Sequence, residues 1–120
     1  MRYITGVGNL AAAPTLREGE NGPYTYARVM VSDRIRQEDG SYTDGPAIAY
    51  DVAVSGAQAT ALVAAAEASG NIRVMFAGNY RVTEWQSDQG PRLQHEVRAD
   101  EVGVSLRGQT VTVERGNADK

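Results

Sequence analysis

Polar and apolar positions alternate along most of this chain. The clearest alternation covers residues 47–55, where Ile48, Tyr50, Val52 and Val54 share one face and smaller or polar residues the other. A period of two residues predicts a half-buried β-strand. Comparable segments, rich in β-branched and aromatic residues, predict further strands at residues 3–10, 24–32, 72–83 and 92–106. A break in the alternation of the last segment predicts a β-bulge near residues 99–101.

One alanine-rich run, residues 57–69, interrupts this pattern and predicts a single helix. It begins after Gly56 and ends at Gly70, and its large apolar groups are Leu62 and Val63. A helix of this composition packs closely on its neighbours, as a plug at one end of a barrel does. Polar segments predict a loop at 33–44 and a hairpin turn at 85–91, and residues 110–114 predict a short extra strand.

The order strand-strand-strand-helix-strand-strand is that of a five-stranded Greek-key barrel of the OB type. We therefore predict an all-β fold with one helix between the third and fourth strands and a short extra C-terminal strand. Residues 1–107 form the barrel domain and residues 108–120 the C-terminal strand and tail. Barrels of this type commonly bind single-stranded nucleic acid.

The composition narrows this expectation. The chain has 120 residues, no cysteine and a formal net charge of -3, which argues against nucleic-acid binding by bulk charge. Eleven of its twelve basic residues are arginine, which forks onto phosphate and stacks on bases. A genome whose proteins are generally rich in arginine explains this composition equally well. We find neither a signal peptide nor a membrane span, so the predicted location is the cytoplasm.

Residues suited to catalysis are not grouped in the sequence. There is no nucleophile–base pair, carboxylate pair or metal-ligand cluster, and His95 is the only histidine. We therefore predict that the protein is not an enzyme and carries no cofactor and no metal.

Several spaced motifs follow one another along the chain. They are residues 7–10 with Pro14, residues 26–32, residues 52–56 followed by the helix, residues 78–81 with Trp85, and residues 96–106. Taken in order, they resemble the bacterial single-stranded DNA-binding protein family over residues 3–106. The segment 96–106 is most similar to actinobacterial members.

The resemblance implies sequence-nonspecific binding and protection of single-stranded DNA in replication, recombination or repair, on the nucleoid. It implies a homo-oligomer, with a tetramer expected and a dimer as the alternative, and a clamp between subunits at residues 110–114. The sequence ends at Lys120 without the acidic tail that recruits repair enzymes in most members. A protein that is naturally short and a chain that was shortened are both compatible with the missing acidic tail.

Trp85 is the expected stacking platform, because the family places a tryptophan at this point. Arg81 lies four positions earlier and so on the same strand face, where it matches a family arginine. Arg28 alternates against Val29 and Val31, so it points away from the core and is a candidate phosphate contact. A partly buried hairpin tryptophan and ordinary surface arginines are the alternatives.

The loop at 33–44 supplies the other candidate contacts. Arg34 and Arg36 lie where the family loop wraps the strand, and Tyr42 resembles an aromatic that related sequences carry there. A solvated loop, with Tyr42 as its anchor, is the alternative.

The third strand departs from the family pattern. Ala49, Asp51 and Ser55 stand where the family offers an aromatic, a basic residue and a second aromatic. Two stacked bases are worth roughly 2–6 kcal/mol, so we predict weaker binding than in typical members. An OB-fold assembly or protein-interaction subunit with weak or lost single-strand binding is the alternative function, and RNA binding also stays open.

Overall fold

The computed structural model describes residues 2–115, apart from the side chains of residues 33 and 34. It contains six strands and one helix in the following order: β1 (Arg2–Leu10), β2 (Arg17–Gly19), β3 (Gly22–Arg36), β4 (Tyr42–Ser55), α1 (Ala57–Ser69), β5 (Arg73–Ser87) and β6 (Gly90–Val104). No helix among these residues is long and apolar enough to cross a membrane.

Five of the strands close into a barrel. The sheet runs β1-β5-β6-β4-β3-β2, and an additional pairing of β1 with β3 joins its ends. The register of this joint is Asn9 opposite Met30 and Leu10 opposite Val29. Strands β4 and β6 are parallel, whereas the other pairs are antiparallel. The predicted OB-type barrel is thereby confirmed, with β2 as a short addition beside β3.

The predicted helix is confirmed at residues 57–69. Its buried residues, Ala59, Leu62, Val63 and Ala66, follow the three-to-four-residue spacing of one helix face. Gly70 ends the helix with a positive φ of 84° and donates its N–H to the Ala66 carbonyl at 2.8 Å. Only glycine adopts this backbone region without strain, which explains the sharp stop.

The core consists of small and β-branched side chains. Alternate residues of the strands point into it together with one face of the helix. The largest fully buried side chains are Leu10, Thr25, Val29, Val52, Val54, Val74 and Val97. Thr25 is the polar member, and its hydroxyl donates to the Thr15 carbonyl at 2.7 Å, so no polar atom is buried without a partner there.

A bulge lies where the sequence predicts it. Ala77 pairs with Glu101 and Gly78 with Ala99, so Asp100 has no counterpart on β5. Gln58 of the helix accepts from the Val102 N–H and donates to the Asp100 carbonyl, both at 2.8 Å. The Gln58 side chain therefore supplies hydrogen bonds to backbone groups of β6 where the bulge interrupts the pairing with β5.

Three local predictions were wrong. The segment 33–44 is mostly strand, because β3 and β4 continue as a paired ribbon as far as Arg36 opposite Tyr42. Trp85 lies within β5, and the hairpin turn is confined to the two residues between Ser87 and Gly90. Residues 110–114 form no strand, since no neighbouring strand of the chain offers them a ladder. Their role as a clamp between subunits stays a prediction.

Candidate nucleic-acid interface

Strands β3, β4, β6 and β5 lie side by side and present one continuous surface, which we call the outer face. It arises from the two-residue period: Ala27, Val29 and Val52 point inward and are buried, so their neighbours point outward. The outer face comprises Tyr26, Arg28 and Met30 of β3, Ala49, Asp51 and Ala53 of β4, Gln94, Glu96 and Arg98 of β6, and Asn79, Arg81, Thr83 and Trp85 of β5, with Arg92 opposite Trp85.

Strand register arranges the outer face in rows across the sheet. One row is Tyr26, Ala53, Arg98 and Asn79; the next is Arg28, Asp51, Glu96 and Arg81. Two further rows along β5, Trp85 stands opposite Arg92. At about 3.3 Å per residue, the six steps along β5 from Asn79 to Trp85 span about 20 Å.

Two grooves follow this surface. The central groove, of about 560 Å³, is lined by Tyr26, Asp51, Arg81, Glu96 and Arg98 among others. The hairpin groove, of about 380 Å³, is lined by Arg28, Asp51, Trp85 and Arg92 among others. Asp51 and Gln94 line both grooves, so the two form one track.

The row of charges between Arg28 and Arg81 is internally paired. Arg28 Nε lies 3.4 Å from Asp51 Oδ1, and Arg81 Nε lies 2.9 Å from Glu96 Oε1. Gln94 also donates to Asp51 Oδ2 at 2.8 Å. The two predicted arginines are therefore on the outer face, but each has a carboxylate beside it. A phosphate would have to compete with that carboxylate for the guanidinium.

The hairpin end of the track differs from its centre. Trp85 is 49% exposed, so about half of its surface is accessible to a base, and its role as a stacking platform stays a prediction. Arg92, opposite it, donates to the Gln89 side chain at 2.9 Å and forms no ion pair with any described residue. An exposed indole beside a cation whose charge is not neutralised is a suitable site for a base and its phosphate.

Two outer-face residues were not among the predicted contacts. Tyr26 is 60% exposed on the surface of the barrel. Its ring meets Tyr24 edge-on at 5.8 Å between centroids, which orients it beside the central groove. Arg98 lines the same groove. The alternation of β6 already places Arg98 with Gln94 and Glu96, so this contact was available from the sequence.

The remaining predicted contacts lie on the ribbon that β3 and β4 form beyond the barrel. Arg36 is exposed and lies opposite Tyr42, which is 52% exposed. The side chain of Arg34 lies outside the described residues. At the ribbon tip, hydrogen bonds from the Ser41 hydroxyl and N–H lower the pKa of Asp39, so this carboxylate stays charged and holds the turn.

The rings of Tyr50, Phe76 and Tyr80 belong to the inner side of the sheet. Tyr50 packs against Phe76 with 5.7 Å between ring centroids, and the Tyr80 hydroxyl hydrogen-bonds His95 Nδ1 at 2.8 Å. His95 is thus packed among the aromatic side chains of the inner side. No group of three or more metal-binding side chains occurs among the described residues.

The β4 positions Ala49, Asp51 and Ser55 carry neither an aromatic nor a basic side chain. Ala49 and Asp51 are half-buried on the outer face, and Ser55 is exposed at the end of β4. None of them offers a ring, so the middle of the track lacks a stacking platform on β4. The aromatic groups of the outer face are instead Tyr26 at one end and Trp85 at the other.

The fold and this track define an OB-type barrel with a surface groove. A search of solved structures places the chain beside a small single-stranded DNA-binding protein from Streptomyces coelicolor, with a TM-score of 0.76. The two share 24% sequence identity, and the match covers 88% of this chain and 95% of the other. No family model matches the chain, and neither does any curated protein sequence. The structural match confirms the fold that the sequence motifs predicted.

Proposed function

We propose that this protein binds single-stranded DNA, without requiring a defined sequence, and protects it in replication, recombination or repair. It acts by occupancy, not by catalysis: a covered strand neither reanneals nor meets a nuclease. The structural neighbour, a small single-stranded DNA-binding protein, supports this proposal. So does the resemblance of the sequence motifs to that family.

The continuous track on the outer face is the observation that carries the proposal. Exposed rings at its two ends, Tyr26 and Trp85, offer stacking platforms, and Arg98 and Arg92 lie next to them. Stacking on aromatic side chains and backbone contacts to arginine are the two components of single-strand binding without sequence readout. The ribbon residues Arg34, Arg36 and Tyr42 would extend the track beyond the barrel.

We also propose that the protein works as a homo-oligomer, with a tetramer favoured over a dimer, on the nucleoid in the cytoplasm. Within residues 2–115, β1 pairs with β3 only at Asn9 and Leu10, so most of that edge has no neighbour in its own chain. Exposed apolar side chains at Ile48, Val82 and Leu93 also suit a subunit contact. Several linked tracks would bind one strand far more tightly than a single barrel.

Tryptophan fluorescence during titration with a polythymidine oligomer tests the proposal. Trp85 is the only tryptophan, so the signal has one source. We expect quenching that saturates with added oligomer at low salt and weakens at high salt, because phosphate contacts release counterions. A parallel mobility assay with labelled oligomer reports binding independently of the indole.

Each result has a distinct meaning. Quenching together with a mobility shift supports binding with Trp85 in the site. A shift without quenching keeps the function and moves the site away from Trp85. If quenching and the mobility shift are both absent at protein concentrations up to about 100 μM and low salt, single-strand binding is refuted.

A second function, an OB-fold assembly or protein-interaction subunit with weak or lost strand binding, is favoured by one observation. The centre of the outer face pairs its own charges, Arg28 with Asp51 and Arg81 with Glu96, instead of leaving the cations open to phosphate. Under this alternative, sedimentation would show a defined oligomer while both DNA assays stay negative.

A further inference from the structure

The central groove has an unusual lining for a surface that would hold a polyanion. Asp51 and Glu96 lie next to each other across β4 and β6, in the middle of the outer face. Carboxylates repel phosphate, so a strand in this groove must keep its backbone away from them. A base edge that donates hydrogen bonds, by contrast, can interact favourably with the two carboxylates.

Glu96 is the carboxylate best placed to accept such bonds. Among the described residues, Arg81 is the one side chain that hydrogen-bonds it, through Oε1 at 2.9 Å. Its side chain is 29% exposed and lines the groove. Asp51, by contrast, already receives Arg28 on one oxygen and Gln94 on the other. Glu96 therefore retains acceptor capacity toward the groove, whereas that of Asp51 is largely used.

The Arg81–Glu96 pair presents a donor beside two acceptor oxygens. Arginine carries five N–H donors, and only its Nε is engaged with Glu96, so its remaining N–H groups are available beside the carboxylate. Guanine is the base whose Watson–Crick edge complements this order, since it offers the O6 acceptor followed by the N1–H and N2–H donors. Thymine offers a single donor between two acceptors, and adenine and cytosine each offer one amino group next to an acceptor.

The groove also contains a surface on which a base can lie. Tyr26 lines it with a 60% exposed ring, and Arg98 lies in the same row. Bases stack on tyrosine irrespective of their identity, whereas hydrogen bonds to the Watson–Crick edge distinguish them. The groove thus combines a platform that accepts any base with a polar pair that favours one.

We propose that the Arg81–Glu96 pair recognises guanine, so that this protein prefers single strands that place a guanine in the central groove. This inference rests on the proposed single-strand binding and adds a base preference at one position of the track. Charge-assisted hydrogen bonds to two donors of one base are the strong kind, and a good bidentate contact discriminates between bases by about tenfold or more.

Fluorescence anisotropy with end-labelled oligomers of equal length tests this preference. The reference is all-thymidine; three others carry guanine, adenine or hypoxanthine at every third position, spaced so that no guanine tract forms. Adenine controls for the better stacking of a purine, and hypoxanthine keeps N1–H but lacks the N2 amino group. We expect the guanine oligomer to bind about tenfold more tightly than the adenine oligomer, with hypoxanthine in between.

Glu96→Gln is the decisive variant, because it keeps the shape of the side chain but replaces one acceptor by a donor. We expect it to abolish the guanine preference, measured as the ratio of the affinities for the guanine and adenine oligomers. Glu84→Gln makes the same charge change on the other face of the same hairpin, opposite Leu93, and should leave the preference intact.

The outcomes separate the two proposals. Equal affinity for the guanine and adenine oligomers, or a guanine preference that survives Glu96→Gln, overturns the inference and leaves single-strand binding standing. If no oligomer binds, the proposed function fails and the inference fails with it. A preference lost in Glu96→Gln and kept in Glu84→Gln supports both.

Discussion

The centre and the hairpin end of the outer face treat their arginines differently. At the centre, Arg28 and Arg81 each lie beside a carboxylate, at 3.4 and 2.9 Å. At the hairpin end, the one partner of Arg92 among the described residues is the Gln89 amide, and Arg92 stands opposite an exposed tryptophan. Both regions belong to one sheet and one track, yet the charges of the central row cancel, whereas Arg92 adds a positive charge at the hairpin end.

This difference shows that the number of arginines on a surface does not measure its attraction for DNA. A paired arginine adds little net potential, because its carboxylate cancels its charge at the distance of a phosphate. An arginine with a neutral partner keeps its full charge and can release a counterion when it meets phosphate. We therefore expect affinity to come from the hairpin end and base preference from the centre.

Removing the indole should give the largest effect. Trp85→Ala is expected to weaken binding by about tenfold to a hundredfold, because one stacked base is worth roughly 1–3 kcal/mol. Trp85→Phe keeps a ring and should lose much less. Anisotropy with labelled polythymidine measures both variants without relying on the indole signal. An unchanged affinity for Trp85→Ala would show that the hairpin end is not the site of affinity.

Reversing a central charge should convert the centre into a region like the hairpin end. Asp51→Arg is expected to tighten polythymidine binding by about tenfold and to steepen the salt dependence by roughly 0.7 in log–log slope for each phosphate gained. Glu84→Arg, the same reversal on the opposite face of the hairpin, is the control. If both reversals tighten binding equally, bulk charge and not the track explains the gain.

Removing charged side chains should give the smallest change in affinity, and the salt dependence of binding should distinguish the hairpin end from the centre most clearly. Arg92→Ala is expected to weaken binding about threefold and to lower the log–log salt slope by about 0.7, since one phosphate contact is lost. The double variant Arg28→Ala with Asp51→Ala removes a pair of zero net charge, so its slope should match that of the parent protein. A reduced slope in the double variant would mean that Arg28 contacts phosphate despite Asp51.

The sequence predicted best those elements whose signals are local. The helix is bounded by Gly56 and Gly70 and spaced by its own apolar residues, so its ends were correct. The bulge at Asp100 was visible as a break in alternation. The ribbon was missed, because its residues are polar and its strand character comes from pairing Arg36 with Tyr42 across the turn.

The site depended on register, which the sequence does not state. Arg28 was correctly assigned to the outward side, but its ion pair joins residues 23 positions apart and exists only because Arg28 stands opposite Asp51. The sequence does not single out Tyr26, because a tyrosine among β-formers fits core and surface equally well. Which of the predicted arginines keep a free charge could therefore be seen only once the strands were aligned.

The parallel pairing of β4 with β6 also bears on how the chain reaches its fold. The hydrogen bonds from Gln94 to Asp51 and from Val102 to Gln58 join positions 43 and 44 residues apart. Such non-local contacts raise the contact order, and loops of this length must close before any energy is gained from them. Folding should therefore be slow for a chain of this size, in the range of milliseconds to seconds. During synthesis, the barrel cannot close until β6 has left the ribosome, so the grooved surface forms last.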